Sequence, residues 1–196
     1  MTTPFTHAFA GFAAGKIFAP KKMPVRFWVL SAICPVVPDI DGIGHMMGVP
    51  YEHFFGHRGF FHSPFFALLV GLAVTAVFFS KGSAFSKRWW LLVLYFLFIT
   101  ATHGILDAMT DGGLGVAFLS PVSNARFFLP LRPFAVGPIG IMEFLNLWGL
   151  FLVVSEIFFI LVPVSFAFVL SYVIRAIILS RRARLHSQAQ SKNHQS

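Results

Sequence analysis

The chain has 196 residues, of which 57% are hydrophobic and only 11% are charged, and its formal net charge is +8 at pH 7. Because soluble domains contain about 25% charged residues, this composition argues against a soluble enzyme and excludes a disordered chain. The positive charge does not indicate a nucleic-acid-binding protein, since the basic residues form short clusters between apolar runs. The single cysteine, Cys34, excludes an intramolecular disulfide and a cysteine-based metal site. The sequence predicts an all-α fold, a polytopic bundle of about five transmembrane helices.

Two short apolar segments begin the chain, residues 5–19 and 25–37, and a basic turn with two prolines joins them. As helices they would be about 20 Å long, against about 30 Å for the hydrocarbon core of a bilayer. We expect them either to span a thinned bilayer or to form a re-entrant hairpin. The first segment does not have the form of a signal peptide, because its lysine follows the apolar stretch.

Three stronger segments follow, residues 64–79, 89–108 and 147–179. The last has no turn signal for a hairpin, so we interpret it as one helix that tilts, kinks at Pro163 or projects beyond the bilayer. Residues 1–180 are then an integral membrane domain, and residues 181–196 a polar, basic tail that we expect to be disordered.

The basic residues orient the predicted bundle. Most of them lie in three segments without any acidic residue, 16–26, 80–88 and the tail from 175 onward. Five crossings place all three segments on one side of the membrane, and the positive-inside rule makes that side cytoplasmic. The loops 39–63 and 109–146 then face outward.

Histidines and aspartates collect at the outward ends of the first four helices. His7 begins the first, Asp39 and Asp41 follow the second, His57 and His62 precede the third, and His103 and Asp107 close the fourth. Ionisable residues within membrane spans are costly and usually functional. The joint pattern therefore predicts a metal site at one membrane face.

The local spacings suit metal binding. His103 and Asp107 are four residues apart, which places both on one face of a helix. Asp39 and Asp41 follow Pro38, and on an extended turn both carboxylates would project to one side. Imidazole and carboxylate together favour Zn²⁺, Mn²⁺ or Fe over a purely Ca²⁺ or Mg²⁺ site.

Three stretches carry a family resemblance: Pro38-Asp39-Ile40-Asp41, His57-Arg58-Gly59-Phe60-Phe61-His62-Ser63 and Thr102-His103-Gly104-Ile105-Leu106-Asp107-Ala108-Met109-Thr110. They resemble the YdjM-like family of bacterial inner-membrane proteins, which are described as membrane-bound metal-dependent hydrolases, some of them regulated by LexA. The resemblance covers residues 4 to 135 and departs at Asp111-Gly112-Gly113, where relatives more often carry an aromatic residue before glycine. It implies a bacterial inner-membrane location. It also implies ligand roles for His7, Asp39, His57, His62, His103 and Asp107, with Asp41 adjacent.

The leading functional hypothesis is a metal-dependent hydrolase acting at the membrane surface on a phosphoester or ester of a lipid or lipid-linked substrate. Six or seven ligands exceed the needs of one tetrahedral site, so we expect two metal ions, most readily Zn²⁺. Asp41 and Arg58 are the candidate catalytic residues. Arg58 either holds a phosphate or carboxylate in a bidentate contact or forms a salt bridge with Asp39, Asp41 or Glu52. Ser63 is expected to cap a helix rather than to act as a nucleophile.

The alternative hypothesis is a non-enzymatic metal-binding protein or a metal transporter. A carrier needs polar groups along a route to the opposite membrane face. The cytoplasmic halves of the third and fourth helices are apolar apart from Thr75, although Glu156 lies within the fifth helix. We interpret Glu156 as a partner for a buried polar group.

Two expectations concern the surroundings of the site. Residues 117–138 are apolar but broken by prolines, which suits either a lid at the lipid–water interface or an ordinary packing loop. In the first case Arg126 and Arg132 would meet lipid headgroups. The short first and second helices, with basic ends that must reach water, should place the metal site several ångströms below the outward interface in a water-filled pocket.

Overall fold

The computed structural model describes residues 3–19, 22–80, 84–137 and 146–193. Apart from two isolated bridges, the regular elements among these residues are helical, which confirms the predicted fold class. In chain order they are α1 (Pro4–Phe18), α2 (Val25–Ile33), a 3-10 helix (Cys34–Ile40), α3 (Asp41–Met46), a 3-10 turn (Phe60–His62), α4 (Pro64–Phe79), α5 (Lys87–Ala108), α6 (Leu147–Glu156), a π-helical segment (Ile157–Leu161) and α7 (Val162–Asn193).

Hydroxyl caps define where three of these helices begin. Thr3, Ser63 and Ser86 precede α1, α4 and α5, and each side chain accepts a hydrogen bond from a backbone N–H of the first turn. Such caps satisfy donors that have no partner within the helix. The capping role predicted for Ser63 is confirmed, since its hydroxyl accepts from the Phe66 N–H at 3.1 Å.

The second segment differs from its prediction. It does not end in an extended turn after residue 37, because the 3-10 helix from Cys34 to Ile40 connects α2 directly to α3. Proline lacks an N–H and ends a regular α-helix, but a tight 3-10 segment accommodates it. Pro35 and Pro38 therefore change the helix type without breaking the run. Asp39 and Asp41 consequently lie on helical backbone and do not project to one side.

Within the described residues, three helical runs are long and apolar enough to cross a membrane, Val25–Met46, Lys87–Ala108 and Gly149–Ile178. We expected the second segment to be shorter than the hydrocarbon core of a bilayer. The helical run that contains it, Val25–Met46, is instead 22 residues long. The α4 helix is apolar but has 16 residues. The predicted domain boundary at residue 181 falls inside α7, which continues to Asn193.

The last helical run fixes both ends of α1. The Glu156 carboxylate accepts hydrogen bonds from Thr3 N, Thr3 Oγ1 and Thr6 Oγ1, each at 2.5 Å. At the other end Arg175 donates to the Ile17 carbonyl. The prediction that Glu156 is a partner for buried polar groups is confirmed, and its contact sets the position of the α1 turn that carries His7.

The apolar core lies between α2 and α5. Its buried members are Phe27, Cys34, Leu92, Phe96 and Ile99. The π-helical segment directly precedes Val162 and Pro163, as expected where a proline removes a donor from the helical ladder. The histidines and aspartates are at the opposite end of α5 from its basic start, so the core separates a polar end of the bundle from a basic end.

Candidate metal centre

The structure brings together all the residues that the sequence suggested for the site. Five parts of the chain supply them. His7 is on α1, Asp39 is on the 3-10 helix and Asp41 is on α3. The loop after α3 carries His57, Arg58 and His62, and α5 carries His103 and Asp107. Three overlapping groups of these side chains have the spacing of metal ligands: His7, His103 and Asp107; Asp39, His62 and His103; and Asp41, His57 and His62. All of them are buried except Asp39, whose side chain is 11% exposed.

Five of these residues form what we call the inner group: His7, Asp39, His62, His103 and Asp107. His103 Nε2 lies 3.3 Å from Asp39 Oδ1, and His62 Nε2 lies 3.4 Å from Asp107 Oδ2. Ligands about 2.1 Å from a tetrahedral metal are about 3.4 Å apart. These two pairs therefore have the separation expected of neighbouring ligands of one ion.

Hydrogen bonds orient the inner-group imidazoles. The Nδ1–H of His103 donates to the Pro35 carbonyl at 2.7 Å, which leaves Nε2 with its lone pair directed at the centre of the group. His62 Nε2 is 2.9 Å from that atom, and the rings of His7 and His103 stack with centroids 3.8 Å apart. A Cβ at Gly104 would lie 2.5 Å from the His62 carbonyl oxygen, so glycine permits this approach.

Asp41 holds the loop that carries three site residues. One of its oxygens is 2.7 Å from His57 Nδ1, and the other is 3.0 Å from His62 Nδ1. The Arg58 backbone N–H also donates to it at 3.0 Å. When one ring nitrogen of a histidine binds a metal, a carboxylate that accepts a hydrogen bond from the other nitrogen fixes the orientation of the ring and raises its basicity. Asp41 stands in that relation to His62, whose Nε2 belongs to the inner group.

Arg58 pairs with Asp107 and not with Asp39, Asp41 or Glu52. Its Nε is 3.2 Å from Asp107 Oδ2, and its Nη1 donates to the Gly112 carbonyl at 2.9 Å. The side chain is fully buried, and the residue has φ of 61°. Left-handed backbone costs a residue other than glycine about 1–3 kcal/mol. Turning the chain at Arg58 thus aims both its neighbour His57 and its own guanidinium inward.

Burial and the neighbouring carboxylates shift the pKa values of the two loop histidines in opposite directions. Burial alone would lower the pKa of His62, but hydrogen bonding to Asp107 and Asp41 raises that pKa to about 9. Burial lowers the pKa of His57 below its ordinary value, although Asp41 opposes the shift. Without a metal, His62 is thus protonated near neutral pH, and metal binding must release that proton.

The segment 109–137 packs on the loop of the site. The Ala117 N–H donates to the Arg58 carbonyl at 3.0 Å, and Arg126 donates to the carbonyls of His57 and Tyr51, both at 2.7 Å. Arg126 therefore binds protein backbone where we expected a lipid headgroup, while Arg132 lies over the Phe128 ring. The predicted lid contacts the backbone of two site residues; Pro138 lies outside the described residues. Sequence patterns gave no signal for the Arg126 contact, because it joins positions distant in the chain.

Replacing Arg126 by alanine should loosen the 117–137 segment. Hydrogen bonds from charged donors contribute about 1.5–3 kcal/mol, and cleavage follows the population of the open segment. We expect chymotrypsin to cut the variant within 117–137 at least about tenfold faster than the parent protein in membranes. Arg132→Ala is the matched control and should change the rate little. Ready cleavage of the parent protein would contradict the lid.

Comparisons with known proteins agree with the resemblance. The model of the YdjM inner membrane protein family matches residues 1–183. Inner membrane protein YbcI of Escherichia coli (strain K12) is 33% identical over 168 residues, which cover 83% of this chain and 92% of YbcI. No solved structure matches the chain. The family match spans all eight residues of the site.

Proposed function

We propose that this chain, which belongs to the YdjM inner membrane protein family, is a membrane-embedded metal-dependent hydrolase. The observation that carries the proposal is the inner group, in which three imidazoles and two carboxylates converge almost out of contact with solvent. Burying two carboxylates is costly unless cations compensate them. Arg58 compensates only Asp107 by a direct ion pair.

The residues present fit a transition metal. Neither oxygen of Asp39 accepts a well-aligned hydrogen bond from the described part of the chain, although both are buried. Imidazole nitrogens with carboxylate oxygens match Zn²⁺ best, and Mn²⁺ or Fe next. Bound there, such an ion would supply a Lewis acid that activates water and stabilises developing negative charge.

The sharing of ligands favours one ion in the inner group. His103 belongs to two of the three ligand groups, yet its Nδ1 is bound to Pro35, so only Nε2 remains for a metal. Since that one atom can bind only one ion, at most one of the two groups that contain His103 can hold a metal through it. If the protein binds two ions, as the number of candidate ligands led us to expect, the second ion would have to lie at Asp41 and His57. The molar ratio of bound metal to protein distinguishes one ion from two.

Each remaining site residue has a proposed task. Asp41 orients His57 and His62 and does not itself react. Arg58 pairs through Nε with Asp107, while its Nη2 has no hydrogen-bond partner among the described residues. A buried guanidinium N–H suits an oxygen of a phosphate group. Arg58 is therefore proposed to hold a phosphoester, the substrate class suggested by the sequence.

A groove on the surface of the bundle supports a lipid or lipid-linked substrate. It has a volume of about 330 Å³ and is lined by Ile33, Val36, Val37, Asp39 and Ile40. Asp39 is also the most exposed member of the inner group. An acyl chain lying in this apolar groove would bring its polar head to the metal centre without leaving the bilayer. The positive-inside rule would place this end of the bundle on the outer face of the inner membrane.

Metal transport is the alternative. A transport route through the bundle would need polar groups beyond the site. Phe27, Leu92, Phe96 and Ile99 fill the space between α2 and α5 with apolar side chains. This packing favours a site that retains its metal over one that passes it on.

Purified protein loaded with Zn²⁺ should hydrolyse at least one member of a panel of phospholipids, lipid phosphates and soluble phosphodiesters. His62→Ala should reduce the rate by at least about a hundredfold, since it removes an inner-group ligand. His53→Ala is the matched control, because His53 is exposed and lies in the same loop. Absence of stoichiometric metal, or of any hydrolysis by loaded protein, would contradict the proposal. Zn²⁺ uptake by proteoliposomes would favour transport.

A further inference from the structure

A second cavity lies at the basic end of the bundle, away from the metal centre. It has a volume of about 640 Å³ and is formed where α1 ends and where α2 and α5 begin. Its lining includes the apolar residues Phe18, Leu91, Leu92 and Tyr95 and the cations Lys22 and Arg88. Lys22 is 15 positions after His7, and Arg88 is 15 positions before His103. Arg88 and His103 both lie in α5, so at 1.5 Å per residue they are about 22 Å apart along that helix.

The walls of this cavity are apolar. Phe27 and Leu92 are buried behind it, while Phe18 and Leu91 are 68% and 57% exposed at its edge. The Tyr95 ring stacks on Phe27 with centroids 4.8 Å apart. The Tyr95 hydroxyl donates to Ser31 Oγ at 2.7 Å, so its polar atom is already bound by the protein. The cavity thus offers hydrocarbon surface that is continuous with the lipid-facing surface of the bundle.

Two basic residues line this cavity, and neither has an acidic residue near it in the sequence. Lys22 and Arg88 are both exposed, and neither residues 16–30 nor residues 80–98 contain an acidic residue. A neighbouring cavity differs in this respect. There Lys16 Nζ lies 3.9 Å from the centre of the Trp28 ring, and Arg175 donates to the Ile17 carbonyl. Of the cations that line these two cavities, Lys22 and Arg88 are therefore the ones best placed to meet an external anion.

We propose that this cavity binds one anionic phospholipid. Its phosphate would lie between Lys22 and Arg88, and one acyl chain would pack along Leu91, Leu92 and Tyr95. Basic pockets between membrane helices bind anionic headgroups in this way, and each cation near the surface contributes about 1 kcal/mol. The site is separate from the metal centre and does not depend on the proposed hydrolysis.

Native mass spectrometry of the full-length protein in detergent tests this site. With phosphatidylglycerol or phosphatidylcholine added, the parent protein should retain phosphatidylglycerol about tenfold more strongly. The variant Lys22→Gln/Arg88→Gln should bind both lipids equally. Lys16→Gln/Arg26→Gln loses the same charge at other positions and should keep the preference. Elution volume and melting temperature confirm that both variants are folded.

Three outcomes would overturn the proposal. Equal retention of the two lipids by the parent protein would exclude selectivity for an anion. Loss of the preference in both double variants would indicate a general effect of net charge. Displacement of phosphatidylglycerol by millimolar inorganic phosphate would show that the cavity binds a free anion and that its apolar walls contribute nothing.

Discussion

Replacing Asp107 by alanine is expected to be the most destabilising single substitution in the site. It leaves the Arg58 guanidinium fully buried with its carboxylate partner removed. Removing one partner of a buried ion pair lowers the free energy of unfolding by about 3–5 kcal/mol, because the remaining charge is uncompensated. We expect a loss of this size in the free energy of unfolding, measured by denaturant titration of the metal-free protein.

A double-substitution cycle separates this effect from metal binding. If the buried charge is the cause, Arg58→Met combined with Asp107→Leu should recover most of the stability lost in Asp107→Ala, since apolar groups of similar volume often replace a buried pair at little cost. Metal binding should not recover, because the carboxylate is still absent. The ion-pair explanation is wrong if the double variant is as unstable as the single one.

Replacing His103 by alanine should remove most of the bound metal. His103 belongs to two of the three ligand groups, and its Nε2 lies within 3.8 Å of Asp39 Oδ1, His62 Nε2 and Asp107 Oδ2. Ligand loss of this kind should reduce bound metal at least about tenfold in elemental analysis. At a free metal concentration of 100 times the Kd, binding stabilises the folded protein by about 2.7 kcal/mol.

The metal loss should also appear as a lower melting temperature. For a chain of this size, about 2.7 kcal/mol corresponds to a decrease of about 5–10 °C. His53→Ala is the control and should keep both metal and melting temperature. The same decrease should follow chelation of the parent protein but not chelation of His103→Ala. If His103→Ala lost its metal and kept the parent melting temperature, the inner group would not depend on a metal for its stability.

The groove beside the metal centre and the second cavity lie at opposite ends of the bundle. The polar end carries the site at His7, Asp39 and His103, and Asp39 also lines the groove. The basic end carries the second cavity with Lys22 and Arg88. Lipid contact is proposed at both ends, as substrate at one and as a bound phospholipid at the other, and the two proposals are tested by different variants.

The composition and the helical periodicity were sufficient to predict the class of the fold, and the histidines and aspartates at the predicted helix ends indicated which side chains meet there. Long apolar runs can be satisfied in a membrane only by helices, so an all-α bundle follows from the sequence alone. The spacing of His103 and Asp107 follows from the pitch of one helix. Their convergence with His7 and the 39–62 region follows from alternating helix directions, which bring the ends of successive helices to the same face.

The sequence could not predict how these side chains pair. Asp39 and Asp41 were expected to point the same way, but the 3-10 helix carrying Pro35 and Pro38 turns Asp39 towards His103 and Asp41 towards His57 and His62. Arg58 reaches Asp107 through a left-handed backbone conformation that no periodic pattern encodes. These contacts join residues that are distant in the chain, and their energies depend on the burial of both partners. The sequence therefore determines the membrane bundle and the set of candidate ligands, whereas packing between the helices determines which carboxylate orients a histidine, which remains for a metal and which neutralises the arginine.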